Sequence, residues 1–185
     1  PNDEFIVASD LDTDLSFIKS KIVRDDLEKL LIMEAITKSN TNFILNNTGK
    51  MVMIGADHLI NKPVDIMFQE DFDLAFWMTH REPEPTNRLN LSMTMFLVNK
   101  TPKNSKLIDK FFKEREDICF SLPVKERKWF ADQKSIALLL EQNNIISDYF
   151  KNNREKTVYD FNGLKIKLFT YGKDFMSAVG ESGEL

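Results

Sequence analysis

The chain has 185 residues, 42% of them hydrophobic and 29% charged, the composition of a globular domain large enough to bury a core. Its net charge of −4 argues against general binding to nucleic acid or to an anionic membrane surface, which a basic surplus serves. Cys119 is the only cysteine, which excludes an intrachain disulfide and a cysteine-built zinc cage and suits a reducing compartment.

In chain order, Phe5 to Ala8 is predicted to form a short strand that runs into an acidic turn. From Asp14 to Asn40 the apolar residues Ile18, Ile22, Leu27, Leu30, Leu31, Met33 and Ile36 follow a helical period, with Asp25, Asp26 and Glu28 as first-turn acids. The helix ends in a turn through Asn46, Asn47 and Gly49. MVMIGA, from Met51, is a continuous apolar run of the kind a buried parallel strand uses. Val64 to Glu70 reads as a short helical turn behind Pro63, and Phe72 to Met78 as the next strand.

The stretch HREPEPTNR is a loop, followed by a third apolar strand from Leu91 to Asn99. Asn104 to Phe120 has a helical pattern capped by Asn104 or Ser105. Ala131 to Asn144 is another helix, opened by Asp132 and closed by Asn143 and Asn144. Thr157 to Thr170 is a hairpin with its turn at Asn162-Gly163, and the tail GESGEL is expected to be loose. Fifteen phenylalanines and eight methionines against six glycines predict an aromatic core with few tight turns. Helical patterns alternate with strands, so the expected class is α/β: one domain with a mostly parallel, Rossmann-like central sheet flanked by helices. No apolar run approaches the roughly 20 residues that span a bilayer, and PNDEFIVASD lacks a basic signal-peptide head, so a cytoplasmic protein is expected.

Asp57 follows the apolar run through Gly55-Ala56, at the expected carboxyl end of its strand. Open α/β sheets bind ligands in the crevice beyond such ends, and a carboxylate there can hold a hard divalent cation that neutralises a diphosphate. An Asp in such a loop also serves as an ordinary helix cap or turn former. His58 beside it is either a second metal ligand or a solvated loop residue, and His80 is read as a loop residue. Lys19, Lys21 and Arg24 either meet phosphates at the start of their helix or form its solvated face. Trp77 sits in an apolar strand and is read as core, whereas Trp129 offers a face for a pyranose to stack on.

The run MVMIGADHLINKPVDIMFQEDFDLAF resembles the central strand and following loop of GT-A glycosyltransferases, the glycogenin-like and related nucleotide-diphospho-sugar transferases. Asp57 matches the second acid of the family's Asp-x-Asp, Lys62-Pro63 the basic-Pro pair, Asp65 and Phe68 the short helix, and Asp73 with Ala75 the next strand. LSMTMFLVNKTPKNSKLIDKFF is similar to the family strand that carries a small residue and ends in Asn before a helix. WFADQKSIALLLEQ resembles the aromatic–acid–Gln motif through Trp129, Asp132 and Gln133.

The resemblance implies a nucleotide-sugar donor, a glycan, lipid or protein acceptor, and Mn²⁺ or Mg²⁺ held by Asp57. It implies catalytic or sugar-binding roles for Asp132 and Gln133; Trp129, Ser92, Thr94 and, from its charge, Arg24 are the candidate substrate contacts. Gly55 stands where the family has its first acid, Ser92-Met93-Thr94 where it commonly has Asn-x-Gly, and no late histidine follows the Asp-Gln pair. The segment EFIVAS looks more like the family's second strand than its first, so the chain is read as shortened at its nucleotide-binding end. Two other readings accompany this one. The first is a non-catalytic module that binds a sugar or nucleotide. The second is a haloacid-dehalogenase-type phosphatase built on VASDLDTDLS, with Asp10 as nucleophile and Asp12 as acid/base, although Asp14 occupies the position where that motif has Thr or Val.

Overall fold

The computed structural model describes residues 6–10, 21–25, 32–55, 58–60, 64–78, 91–127, 130–170 and 176–178. Two short strands, β1 (Ile6–Asp10) and β2 (Lys21–Asp25), pair in parallel. Helix α1 (Ile32–Asn46) leads into β3 (Gly49–Ile54), and β4 (His58–Ile60) pairs antiparallel with β9 (Met176–Ala178). A 3-10 turn at Val64–Phe68 precedes β5 (Leu74–Met78), and β6 (Leu91–Lys100) leads into α2 (Ser105–Ser121). Helices α3 (Ala131–Glu141) and α4 (Ile145–Lys151) follow, then the hairpin β7 (Val158–Phe161) and β8 (Leu164–Phe169). No described helix is long and apolar enough to cross a membrane.

The main sheet has the order β3-β6-β5-β8-β7. Only β5 and β8 run parallel in it; β3–β6, β5–β6 and β7–β8 are antiparallel. The α/β class therefore stands, but the expected mostly parallel sheet is replaced by a mixed one. Continuous apolar runs misled on direction because they report burial on both faces, which does not depend on which way a neighbour runs. Here one face of the sheet meets the helices. Ile108, Phe111 and Phe112 of α2, Ile136, Leu139 and Leu140 of α3, and Tyr149 of α4 pack on Phe76, Phe96, Ile166 and Leu168. The other face buries Ala75, Met95, Leu97 and Phe169 under Met67 and Phe72.

The phenylalanines form the expected aromatic core. Phe76 stacks between Phe96 and Phe111 at ring separations of 6.0 and 5.9 Å, and Phe161 meets Phe111 edge-on at 5.4 Å. Each such pair adds roughly 0.5–1.5 kcal/mol beyond area burial.

The helix expected from Asp14 to Asn40 is a second correction. Lys21–Asp25 is a strand, and the described helix starts only at Ile32. Ile22 and Val23 are β-branched and find a partner in Ile6–Asp10, so tertiary pairing overrides the local helical period. Helix α4 has no counterpart among the expected elements. Seven residues hold only two turns, too few for a period to stand out, and the left-handed Asn144 (φ 55°) turns the chain straight from α3 into it.

The hairpin forms as expected, with Asn162 (φ 52°) and Gly163 (φ 90°) in the left-handed conformations that a tight two-residue turn requires. Asn104 does precede α2, yet its side chain makes no helix-capping bond. Its amide instead donates to Asp73 Oδ1 and to the Asn99 carbonyl, while its Oδ1 accepts from the Thr101 N–H at 2.7 Å. Asp73 Oδ2 accepts from the Lys165 N–H at 2.8 Å, so this network ties β5, β6, β8 and the start of α2 together at one rim of the sheet.

Tyr159 on β7 is buried, and its hydroxyl donates to the Lys156 carbonyl at 2.8 Å. Burial first, and the Asp148 carboxylate second, push its phenol up to about 12. The native state thus holds this proton more tightly than the unfolded chain does. The stability it contributes is complete below the free-tyrosine value of about 10 and disappears as pH rises through about 12, a loss on the order of 2 kcal/mol. Urea unfolding at stepped pH is expected to show that decline, and Tyr159→Phe is expected to flatten it.

Candidate functional site

Strand directions define the rim at which Asp132 and Gln133 stand. β3 and β5 are both antiparallel to β6, and β8 is parallel to β5. The carboxyl ends at Ile54, Met78 and Phe169 therefore share one edge with the amino end of β6 at Leu91. Helix α2 leaves the opposite rim after a four-residue link from β6 and runs back: Asp109 near its start pairs with Lys100, whereas Cys119 in its last turns packs with Met33 at the start of α1 and with Ala131. Helix α3 starts there, packed on α2 and β6. The Asp73 network lies at the far rim, which makes Asp73 a structural residue.

Asp132 and Gln133 occupy the first turn of α3, both half-buried. Ala131 and Ser135 around them are fully buried, and Ser135 Oγ donates to the Asp132 carbonyl at 2.8 Å. The preceding Phe130 is left-handed (φ 75°) and its carbonyl accepts the first helical bond, from the Lys134 N–H at 2.9 Å. A non-glycine residue in that region costs roughly 1–2 kcal/mol, and such cost is often stored beside functional groups. Lys134 in turn pairs with Glu126. An acid in the first turn also stabilises the helix dipole, so Asp132 serves α3 in either role.

Behind Asp132 lies a buried polar cluster that the sequence reading passed over. Arg115 of α2 is completely buried, with Nη2 3.5 Å from Thr37 Oγ1. Thr37 Oγ1 also lies 3.6 Å from Cys119 Sγ, and Cys119 packs with Ala131 and Met33. Glu34, at the start of α1, pairs with Arg127 Nη1 at 2.9 Å. Burial holds the Arg115 guanidinium below its ordinary value; Asp132 opposes this first, then Cys119 and Glu116. Burial pushes the Cys119 thiol up, against the Thr37 hydrogen bond and Arg115, so it is not an activated nucleophile. A signal for Arg115 did exist. It falls on the apolar stripe Ile108, Phe111, Phe112, Arg115, Cys119, where a solvated arginine would not stand.

The remaining expected residues separate. Ser92 is buried near the start of β6, at the same rim as Asp132. Leu91 and Met93 on either side of it enter the helix-side core, so alternation sends Ser92 to the other face of the sheet. Thr94 sits in the irregularity that shifts the β5–β6 register, and only its backbone is described. Arg24 stands on β2 opposite Ser9, not at a helix start as expected. Trp77 packs in the second core cluster, in line with its core reading. His58 lies in β4 opposite Ala178, described by its backbone alone, and Asp10 ends β1 opposite Asp25. Asp57, Trp129, His80, Asp12 and Asp14 lie outside the described residues.

Among the described residues, no three His, Cys, Asp or Glu side chains are grouped to hold a metal ion. Gly55 contributes no carboxylate at the end of β3. Compared with known proteins, the chain matches no family model, no curated protein and no solved structure.

Proposed function

We propose that this chain is a nucleotide-diphospho-sugar glycosyltransferase domain of GT-A type, moving a sugar from its donor to a glycan, lipid or protein acceptor. The observation that carries the reading is the shared rim. The carboxyl ends of β3 and β5 and the first turn of α3, with Asp132 and Gln133, all come to one edge of the sheet. Open sheets bind ligands beyond such strand ends.

In the proposed reaction the acceptor oxygen forms a bond to the anomeric carbon as the bond from that carbon to the diphosphate oxygen breaks, the electron pair leaving with the diphosphate, which takes up the acceptor's proton. Asp132 supplies a negative charge beside the oxocarbenium-like centre, and Gln133 hydrogen-bonds the sugar hydroxyls. Asp57 is the one acid that the Asp-x-Asp position offers to Mn²⁺ or Mg²⁺. Among the described residues no group of His, Cys, Asp or Glu side chains completes a divalent-ion site around it. Gly55 favours a second reading, a module that binds a nucleotide or sugar without catalysing transfer.

Thermal-shift scans with UDP- and GDP-sugars, with and without Mn²⁺, separate the two. A ligand at a hundred times its Kd stabilises the native state by about 2.7 kcal/mol, well within what a melting curve resolves. Stabilisation that needs Mn²⁺ favours the enzyme, and metal-independent stabilisation favours the module. No response to any nucleotide sugar counts against both.

A further inference from the structure

The completely buried Arg115 is a charge without adequate compensation among the described residues. Its Nε and Nη1 have no hydrogen-bond partner, and its one bond, to Thr37, is at the long limit of 3.5 Å. A guanidinium cannot discharge itself by losing a proton at ordinary pH. Burying it therefore demands a nearby negative charge, or the fold bears the full desolvation cost. Three acids belong to this neighbourhood. Glu34 is engaged by Arg127 at 2.9 Å. Glu116 follows Arg115 on the same helix, and neighbours in a helix point about 100° apart. Asp132 comes from the facing helix, whose first residue Ala131 packs against Cys119, one turn beyond Arg115.

We propose that Arg115 is a positioning residue for Asp132, a fixed, desolvated cation behind the start of α3 whose field, without a direct ion pair, favours the Asp132 carboxylate at the sheet rim. The ordering of burial is what makes it effective. Arg115 is completely buried among the helices and Asp132 partly buried, so much of the field between them crosses protein, where it is screened less than in water. Thr37, itself fully buried, steadies the guanidinium from α1, and the strained Phe130 sets where α3 begins. This role in sugar transfer rests on the proposed function. The electrostatic link between the two side chains does not.

The test uses the full chain and two readouts. In urea unfolding, Arg115→Met and Asp132→Asn are made singly and together, with Arg115→Lys as the variant that keeps the charge. The expected result is non-additivity: Asp132→Asn changes the unfolding constant about tenfold more when Arg115 is present than when it is Met. Strict additivity overturns the link. In turnover of the nucleotide sugar that stabilises the wild type, Arg115→Met is expected to lower kcat at least tenfold with KM unchanged. Arg115→Lys is expected to recover part of that loss, and Arg115→Met to add nothing to Asp132→Asn. A folded Arg115→Met with wild-type kcat overturns the positioning role. A wild-type chain that turns over no nucleotide sugar overturns the glycosyltransferase reading and this role in it, while the unfolding cycle still decides the Arg115–Asp132 link.

Discussion

Under the proposed function, Asp132→Ala is expected to reduce sugar transfer by on the order of 10³-fold in kcat while the protein remains folded, because the proposed role is chemical and the fold around it has its own anchors. The start of α3 is anchored by the fully buried Ala131 and Ser135 and by the Ser135 bond to the Asp132 carbonyl, none of which uses the carboxylate. Removing a first-turn acid costs a helix roughly 0.3–1 kcal/mol and losing a tenfold coupling to Arg115 about 1.4 kcal/mol more, together too little to unfold a domain of this size. Circular dichroism should therefore stay near wild type and the urea midpoint fall only modestly while initial rates collapse. Unchanged turnover in the Ala variant would take Asp132 out of the mechanism. The control Gln133→Ala is expected to act mainly on KM, since an amide that binds hydroxyls contributes to ground-state and transition-state binding alike.

The largest loss of stability is expected at a residue with no proposed part in chemistry. Lys100 ends β6 at the far rim and is 2% exposed. Its ammonium donates to the carbonyls of Ile44 and Leu45 at 2.7 and 3.2 Å, closing the last turn of α1, and pairs with Asp109 Oδ1 of α2 at 2.6 Å. Helix α1 has no basic residue of its own in that turn, so Lys100 supplies from the sheet the positive charge that the helix end favours. Lys100→Met strands two carbonyls and leaves Asp109 without its partner, at an expected cost of about 3–5 kcal/mol. Urea unfolding should show the midpoint fall with the slope unchanged. Lys100→Met with Asp109→Leu should recover part of the loss, since it removes the stranded charge. A single-variant loss below about 1 kcal/mol would mean that the pair is effectively solvated.

Much of the local architecture was legible along the chain, and the reasons are physical. The apolar runs at Met51–Ile54, Leu74–Met78 and Leu91–Val98 became strands because both faces of the sheet are buried. The periodic stripe of α2 and the Asn162-Gly163 turn required no distant partner to be recognised. Where a helical period failed, at Lys21–Asp25, the deciding contact was a strand at Ile6–Asp10, about fifteen residues away in sequence. The candidate site divided in the same way. Asp132 and Gln133 were visible as a first-turn pair, whereas the arginine behind them shows only as a charged position on the apolar stripe of α2, amid the charged run KERED.

Sequence alone settled the elements whose evidence is local: turn chemistry, helical stripes, apolar strands and a chain without a disulfide. Tertiary structure alone decided strand direction, which rim each helix end reaches, and the opposite faces of Ser92 and Asp132. It also decided that Lys100 and Arg115, two ordinary-looking cations, are buried. Hydrophobic periodicity records how much of a residue meets water, and it carries no record of which neighbour excludes that water. That choice is made only when segments distant along the chain pack together.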